Sequence, residues 1–291
     1  MKARMARATL AAMALALGVA APVTAASRPP VTPGSTYLAL GDSVTFGYQE
    51  PNTVPAPNYH NAASFFGYPE ELGPQLKLKV ANAACPGETS TSLINPHAES
   101  NGCENKLGKA PGYRTRYPLH VRYKGSQLAF AIQFLRKNRG TRLVSLMIGA
   151  NDLFLCQETT PDACLKPSEQ RKTLAKVKSN IRTILSGLRN KAGYRGQIVI
   201  VNYYSLNYAS ALITGYSREL NQAEDSAGKP FGVAIADGFG IFAKATQKSG
   251  GNPCTAGLIT QTPSPPKCGV HPTYAGSALL AQAVAKSVRL R

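Results

Sequence analysis

The chain has 291 residues, of which 43% are hydrophobic and 16% are charged. This composition is typical of a globular protein, and it excludes a disordered chain and a membrane protein with many spans. The formal net charge of +18 is compatible with binding to nucleic acid, with contact to an anionic surface, or with a solvated surface that has no partner. The basic residues are scattered and form no dense run interleaved with aromatics. Contact with anionic surfaces is therefore favoured over nucleic acid, which is not expected.

The first segment has the layout of a secretory signal peptide. Three cations within the first seven residues precede an apolar run over 8–21, and residues 23–25 offer a cleavage site. We predict a signal peptide over 1–26, a single domain over 27–291 and export from the cell. An uncleaved N-terminal anchor is the alternative, although the apolar run is short for a membrane span.

Five short apolar runs alternate with longer amphipathic stretches in the rest of the chain. In chain order we predict strands at about 37–41, 78–83, 142–148, 197–201 and 233–236. Helices are predicted at about 68–76, 126–139, 168–191, 209–224 and 274–288. Strands that alternate with helices predict a parallel sheet with helices on both faces, in the α/β class.

Three stretches show no helical or alternating period. Residues 48–66 are rich in proline and aromatic side chains, and 88–124 are dominated by polar residues and glycine. The aromatic side chains of 48–66 could line an apolar pocket or pack down onto the sheet. The Pro-rich stretch before His271 is also predicted to lack secondary structure.

All six cysteines follow the predicted signal, and an even count in an exported chain indicates disulfides. Six cysteines allow fifteen pairings. The simplest set joins sequence neighbours, each closing a local loop: Cys85–Cys103, Cys156–Cys164 and Cys254–Cys268. The spacing does not resemble zinc ligation, so we expect no metal and no cofactor.

Polar and small residues follow three of the predicted strands. These stretches are Gly41-Asp42-Ser43, the turn at Gly87, and Gly149-Ala150-Asn151-Asp152. Because the carboxyl ends of parallel strands meet at one edge of a sheet, we expect these stretches to lie together. A hydroxyl becomes a nucleophile when a histidine such as His271 accepts its proton, and a glycine turn and an amide can stabilise an oxyanion. The pattern predicts acyl transfer.

Together these blocks resemble the SGNH, or GDSL, hydrolase family over essentially the whole mature chain. The resemblance implies a flavodoxin-like α/β/α sandwich and hydrolysis of esters. Ser43 matches the nucleophile and His271 the general base. The main-chain N–H groups of Ser43 and Gly87, with the side chain of Asn151, match the oxyanion hole.

One position departs from the family pattern. Family members usually have an Asp three residues before the His, and Cys268 occupies that position. Asp237 is the nearest replacement by sequence. Some secreted actinobacterial-type members are similar to this chain in having three local disulfides and a main-chain carbonyl in place of the Asp. The resemblance therefore implies a dyad of Ser43 and His271, with a backbone carbonyl around Cys268 holding the imidazole N–H.

We therefore expect an exported, metal-independent carboxylic ester hydrolase that acts as a monomer through an acyl-enzyme on Ser43. An acyl-chain pocket between the 48–66 and 88–124 loops would favour lipid or simple acyl esters. The alternatives are a carbohydrate O-deacetylase, a phospholipase, and a non-catalytic surface-binding protein. Asp42 and Asp152 are expected to fix turns. The other histidines, His60, His97 and His120, are interpreted as surface or loop residues.

Overall fold

Five parallel strands form the central sheet of the structure, a computed structural model that describes residues 28–109, 111–263 and 266–291. The predicted signal peptide, 1–26, lies outside the described residues. The strands are β1 (Thr36–Gly41), β2 (Lys79–Asn82), β3 (Thr141–Met147), β4 (Gln197–Val201) and β5 (Ala234–Ala236). Their spatial order is β2-β1-β3-β4-β5. The predicted parallel five-stranded sheet is confirmed.

Helices cover both faces of this sheet. They are α1 (Ser43–Phe46), α2 (Tyr68–Gln75), α3 (Tyr113–Arg116), α4 (Gln127–Lys137), α5 (Ala150–Thr159), α6 (Pro167–Ser186), α7 (Ala211–Gly228), α8 (Gly238–Ala245) and α9 (Tyr274–Ser287). Contacts of α9 with α2 and α8 define one layer, and contacts of α6 with α5 and α7 define the other. The three-layer α/β/α arrangement follows the prediction.

The longest predicted helix buries the expected stripe. Val177, Ile181, Ile184 and Leu185 of α6 are fully buried, because residues three or four positions apart share one helical face. The regular helix ends at Ser186, and a wider helical turn continues over Gly187–Lys191. The predicted end at 191 therefore includes this turn.

Several observed elements are absent from the predicted list. They are the one-turn helices α1 and α3, the helices α5 and α8, and an antiparallel hairpin of β6 (Ile259–Pro263) and β7 (Pro266–Pro272). The prediction that the stretch before His271 lacks secondary structure is wrong. Pro263 pairs with Pro266 at the turn end of the hairpin, where proline disturbs the ladder least.

The three disulfides join sequence neighbours, as predicted: Cys85–Cys103, Cys156–Cys164 and Cys254–Cys268. The first lies beside the turn after β2, the second ties the end of α5 to the following loop, and the third braces the hairpin. In the part of the chain that the structure describes, no helix has the length and hydropathy to cross a membrane.

Candidate active site

Ser43 stands at a tight turn between β1 and α1. Asp42 caps the helix, and its Oδ1 accepts a hydrogen bond from the N–H of Val44 at 3.0 Å. Gly41 has a φ of +147°, and a side chain there would collide with the carbonyl oxygen of Met147 on β3. The turn therefore requires glycine, and it presents Ser43 beyond the carboxyl end of the sheet.

Buried Gln127 of α4 fixes the same turn from behind. Its Oε1 accepts from the N–H of Gly41 at 2.7 Å, and its Nε2 donates to the carbonyl of Gly41 at 3.0 Å. Nε2 also lies 3.0 Å from Oε2 of Glu88, next to Gly87. One amide therefore links the nucleophile turn to the glycine turn after β2.

His271 reaches Ser43 from the hairpin. Its Nε2 lies 2.9 Å from Oγ of Ser43, within the distance that proton transfer needs. The ring of Tyr48 packs edge-on against the imidazole, with the centroids 4.8 Å apart. The structure thus brings together the nucleophile and the base that the sequence proposed, although 228 positions separate them in the chain.

The group that orients His271 is a carboxylate, and the predicted role of the carbonyl around Cys268 is wrong. Nδ1 of His271 lies 2.8 Å from Oε1 of Glu50, whose side chain is 23% exposed. Asp237, the replacement nominated by sequence, caps α8 by accepting from the N–H of Gly240 at 2.7 Å. Cys268 instead braces the hairpin through its disulfide with Cys254.

Glu50 is bound to the hairpin by more than the imidazole. Its Oε1 also accepts from the N–H of Val270 at 3.0 Å, and its Oε2 accepts from the hydroxyl of Thr260 at 2.5 Å. A Cβ at Gly269 would collide with this carboxylate, so glycine is needed for the close approach. Burial raises the pKa of Glu50, but the hydrogen bonds and the charge of His271 outweigh burial and lower the pKa to about 2. Glu50 is therefore an anion at neutral pH.

The expected oxyanion donors lie along one cleft with Ser43. Gly87 has a φ of +81°, and a Cβ there would stand 2.5 Å from the carbonyl oxygen of Asn101. Among the described residues, no acceptor pairs with the main-chain N–H of Gly87 or of Ser43. Asn151 follows β3 in the first turn of α5 and is 6% exposed, with its Nδ2 donating to the carbonyl of Glu88 at 3.0 Å.

The two aspartates make turn-fixing contacts, as expected. Oδ2 of buried Asp42 accepts from the hydroxyl of Tyr203 at 2.5 Å. Burial raises the pKa of Asp42 to about 6, against the lowering effect of its hydrogen bonds. Asp152 accepts from the N–H and the hydroxyl of Ser90 at 2.8 and 2.7 Å, which ties α5 to the turn after β2.

The remaining histidines lie outside this arrangement. His60 and His97 occupy exposed turns. Nε2 of half-buried His120 lies 3.0 Å from the carbonyl of Phe46. The one group in the described part of the chain with metal-ligand proximity is Cys85, Glu88 and Cys103, and its two sulfurs are bonded to each other rather than free as thiolates.

A cleft of about 680 Å³ opens at Ser43 and His271. Apolar side chains from α5, from the loop after it, from the loop after β4 and from α7 form most of its wall: Leu153, Phe154, Leu165, Leu206, Leu212, Ile213, Tyr216 and Leu220. The expected position between the 48–66 and 88–124 loops is wrong in part. The latter contributes Asn101, Gly102 and Tyr113, whereas the former contributes Tyr48.

Most aromatic side chains of 48–66 pack together instead of lining the cleft. Phe65 lies 5.1 Å from Phe46, and Tyr59 lies 5.2 Å from Tyr117, between ring centroids. Phe65 is 1% exposed. This aromatic cluster holds the loop that carries Glu50, so its contribution to the site is support.

Comparison with known proteins places this geometry in a family. The model of the GDSL-like lipase/acylhydrolase family matches residues 39–279. The chain belongs to this family. The match spans the Ser43, Gly87, Asn151 and His271 blocks, and it supports hydrolysis of an ester as the general reaction. No curated protein sequence matches the chain.

Solved structures share the fold at low sequence identity. A candidate GDSL-like lipase from Parabacteroides merdae is 17% identical, with a TM-score of 0.54 and coverage of 89% of this chain and 98% of that one. The acetylxylan esterase Axe2 from Geobacillus stearothermophilus is 16% identical, with a TM-score of 0.54 and coverage of 90% and 100%. The lipase Lip_vut3 from a goat rumen metagenome is 15% identical, with a TM-score of 0.54 and coverage of 89% and 99%. At this identity the likeness concerns the fold.

Proposed function

We propose that this member of the GDSL-like family is an exported carboxylic ester hydrolase that works through an acyl-enzyme on Ser43. The observation that carries the proposal is the continuous chain from Oγ of Ser43 through the imidazole of His271 to the carboxylate of Glu50. A hydroxyl, a base and an anion in this order are what nucleophilic acyl transfer requires.

In the first step, Oγ of Ser43 attacks the ester carbonyl while Nε2 of His271 accepts the hydroxyl proton. The tetrahedral oxyanion accepts hydrogen bonds from the N–H groups of Ser43 and Gly87 and from Nδ2 of Asn151. The intermediate collapses, the C–O bond to the alcohol breaks, and the imidazolium returns the proton to the leaving oxygen. Water then attacks the acyl-enzyme by the same sequence and releases the acid.

Glu50 acts on His271 and not on the substrate. Its Oε1 accepts a hydrogen bond from the Nδ1–H group, which fixes the tautomer with a free Nε2 lone pair toward Ser43. The same anion stabilises the imidazolium that forms during each step. Because Thr260 and Val270 also bind the carboxylate, its position is set by the hairpin that carries His271.

The apolar wall of the cleft supports an ester with a hydrocarbon acyl chain. Leu153, Leu206 and Leu220 lie along the same cleft as Ser43, and burial of apolar surface there contributes about 25 cal/mol per Å². An acetyl group fills little of such a cleft. A lipid or simple acyl ester of medium or greater length therefore fits better than an acetylated sugar.

Export is supported by two features of the chain. The predicted signal peptide precedes the domain, and three disulfides form where an oxidising compartment would maintain them. The excess of positive charge would suit work near anionic surfaces.

Hydrolysis of p-nitrophenyl esters from acetate to palmitate, of a phospholipid and of an acetylated sugar tests the proposal. We expect hydrolysis that rises with acyl length beyond acetate and is lost in Ser43→Ala. Preference for the acetylated sugar would support a carbohydrate deacetylase. Hydrolysis of none of these compounds by the folded protein would contradict the proposal and support a binding role.

A further inference from the structure

Hydrogen-bonding chemistry fixes the orientation of the Asn151 amide. The group 3.0 Å from one end of this amide is the main-chain carbonyl of Glu88, which accepts and never donates. That end is therefore the Nδ2 donor. The opposite end is Oδ1, and it needs a donor.

Asn101 supplies this donor. Its Nδ2 lies 2.9 Å from Oδ1 of Asn151, which in turn fixes the orientation of the Asn101 amide. Oδ1 of Asn101 is buried and has no hydrogen-bond partner among the described residues. The hydrogen bond to Asn151 is therefore the contact that holds this side chain, and replacing Asn101 by alanine removes it.

One hydrogen of Asn151 Nδ2 remains available to a substrate. The first is used on the carbonyl of Glu88, and the next nearest acceptor is Oδ2 of Asp42 at 3.4 Å. That oxygen already accepts the hydroxyl of Tyr203 at 2.5 Å, so its bond to the amide is long and weak. The second hydrogen can therefore turn to a developing oxyanion in the cleft.

Asn101 also contacts the turn at Gly87, which carries another proposed oxyanion donor. The main-chain N–H of Asn101 donates to the carbonyl of Gly87 at 2.7 Å. The disulfide Cys85–Cys103 joins the two chain segments next to this contact, since Cys85 precedes Gly87 and Cys103 follows Asn101. Asn101 thus lies between the Gly87 turn, which follows β2, and Asn151, which follows β3.

We propose that Asn101 is a positioning residue that fixes the two oxyanion donors, Gly87 and Asn151, relative to each other. The inference rests on the proposed function. The main chain of Asn101 positions Gly87, and the side chain of Asn101 positions the amide of Asn151. Asn101 acts through Asn151 and is expected to affect the transition state more than the bound substrate.

A double-mutant cycle tests this role, with kcat and KM measured for Asn101→Ala, Asn151→Ala and the double variant. Misplacement of a catalytic group costs up to about 10²-fold in rate, so Asn101→Ala should lower kcat roughly 10- to 100-fold with KM nearly unchanged. Because Asn101 acts through Asn151, the double variant should be no slower than Asn151→Ala alone, within about twofold. Losses that multiply would overturn the proposal.

Two further variants separate positioning from folding. Asn101→Asp keeps the shape and the main-chain contacts but presents an acceptor to Oδ1 of Asn151, so it should lose at least as much kcat as Asn101→Ala. Asn105→Ala is the matched control, because Asn105 lies four positions from Asn101, just beyond Cys103, and its side chain bonds the main chain of Ala98 and Ser100 instead. Its kcat should stay within about twofold of the unmodified protein, since its bonds only support the loop.

The outcomes distinguish this inference from the proposed function. If the unmodified protein hydrolyses esters and Asn151→Ala is slow while Asn101→Asp keeps full kcat, the positioning role is wrong and the hydrolase proposal stands. If the unmodified protein hydrolyses no ester, the hydrolase proposal fails, and the positioning role fails with it.

Discussion

The two sides of the proposed active site, which we call the oxyanion side and the base side, are held by different parts of the molecule. The oxyanion side, with Ser43 and Asn151, is buried at the ends of β1 and β3 and is fixed by the sheet and by short local turns. The base side, with His271, lies on a two-stranded hairpin and is fixed by Glu50 and by the disulfide Cys254–Cys268. Substitutions on the base side should therefore affect catalysis while the sheet core stays folded.

The two sides also differ in electrostatics. Burial raises the pKa of Asp42, on the oxyanion side, to about 6. On the base side, burial is outweighed by the contacts with His271, Thr260 and Val270, and the pKa of Glu50 falls to about 2. The surroundings therefore destabilise the anionic form of Asp42 and stabilise the anionic form of Glu50. Only the second is suited to stabilising an imidazolium.

The largest effect is expected at Glu50. Glu50→Gln removes the anion that orients and stabilises the imidazole, and loss of such a carboxylate lowers kcat on the order of 10³- to 10⁴-fold. Asp237→Asn is the matched control, since it removes a carboxylate charge away from the site while asparagine can still cap α8, so kcat should be kept. Gly269→Ala should reproduce part of the loss, because its Cβ would displace the Glu50 carboxylate. Full kcat in Glu50→Gln would show that another group orients His271.

A smaller loss is expected on the oxyanion side. Asn151→Ala removes one donor to the oxyanion and should lower kcat by roughly 10²- to 10³-fold, with little change in KM. The measurement is steady-state hydrolysis of the best p-nitrophenyl ester. A loss below tenfold would mean that Asn151 does not face the oxyanion.

Loss of the hairpin disulfide should lower kcat by positioning His271 less accurately, and its effect should be smaller than that of the two substitutions above. Replacing both Cys254 and Cys268 by Ser frees the hairpin, and misplacement of His271 should lower kcat roughly 10- to 100-fold while circular dichroism stays native. Replacing Cys156 and Cys164 by Ser is the comparison, because that bridge supports the cleft wall near Leu165 and should alter KM more. Equal effects of both pairs on kcat would refute a specific role for the hairpin bridge.

The smallest effect is a dependence of stability on pH with opposite sign on the two sides. For Glu50, the pKa falls from 4.5 to about 2 on folding, so its contribution is present above about pH 4.5 and is lost as pH falls toward 2. For Asp42, the pKa rises from 3.8 to about 6, so stability is lost as pH rises through this window.

Denaturant unfolding from pH 2 to 7 measures both contributions. The free energy of unfolding lost in Glu50→Gln should grow with increasing pH between about 2 and 4.5. Asp42→Asn should become more stable relative to the unmodified protein between about pH 4 and 6. Slopes of the same sign in the two variants would contradict the electrostatic difference between the sides.

The closeness of Ser43, Gly87 and Asn151 could be predicted from sequence because its signals are local. Apolar runs end in Gly41-Asp42-Ser43 and Gly149-Ala150-Asn151-Asp152, and the ends of parallel strands share one edge of the sheet. The proposed nucleophile therefore followed from short stretches of chain. The cleft wall could not be predicted in this way. Its helix α5 starts without a side-chain cap at Gly149, and its apolar residues do not form a clear stripe on one face.

The base side depends on contacts between distant positions. Glu50 lies in an aperiodic loop 221 positions from His271, so no spacing indicates their contact. Prolines around the hairpin suggested a loop, although Pro263 and Pro266 occupy only its turn end. Gly269 was the available signal, since a glycine two residues before the base leaves space for an approaching side chain.

Labelling with a serine-directed organophosphonate, mapped by mass spectrometry, tests the central claim most directly. The reagent forms a tetrahedral adduct with a serine that a base has activated. We expect one adduct per molecule, on the peptide that contains Ser43, with hydrolysis lost in proportion and labelling greatly slowed in Glu50→Gln. Labelling at Ser90 or Ser145, or full hydrolysis after complete labelling of Ser43, would contradict the account.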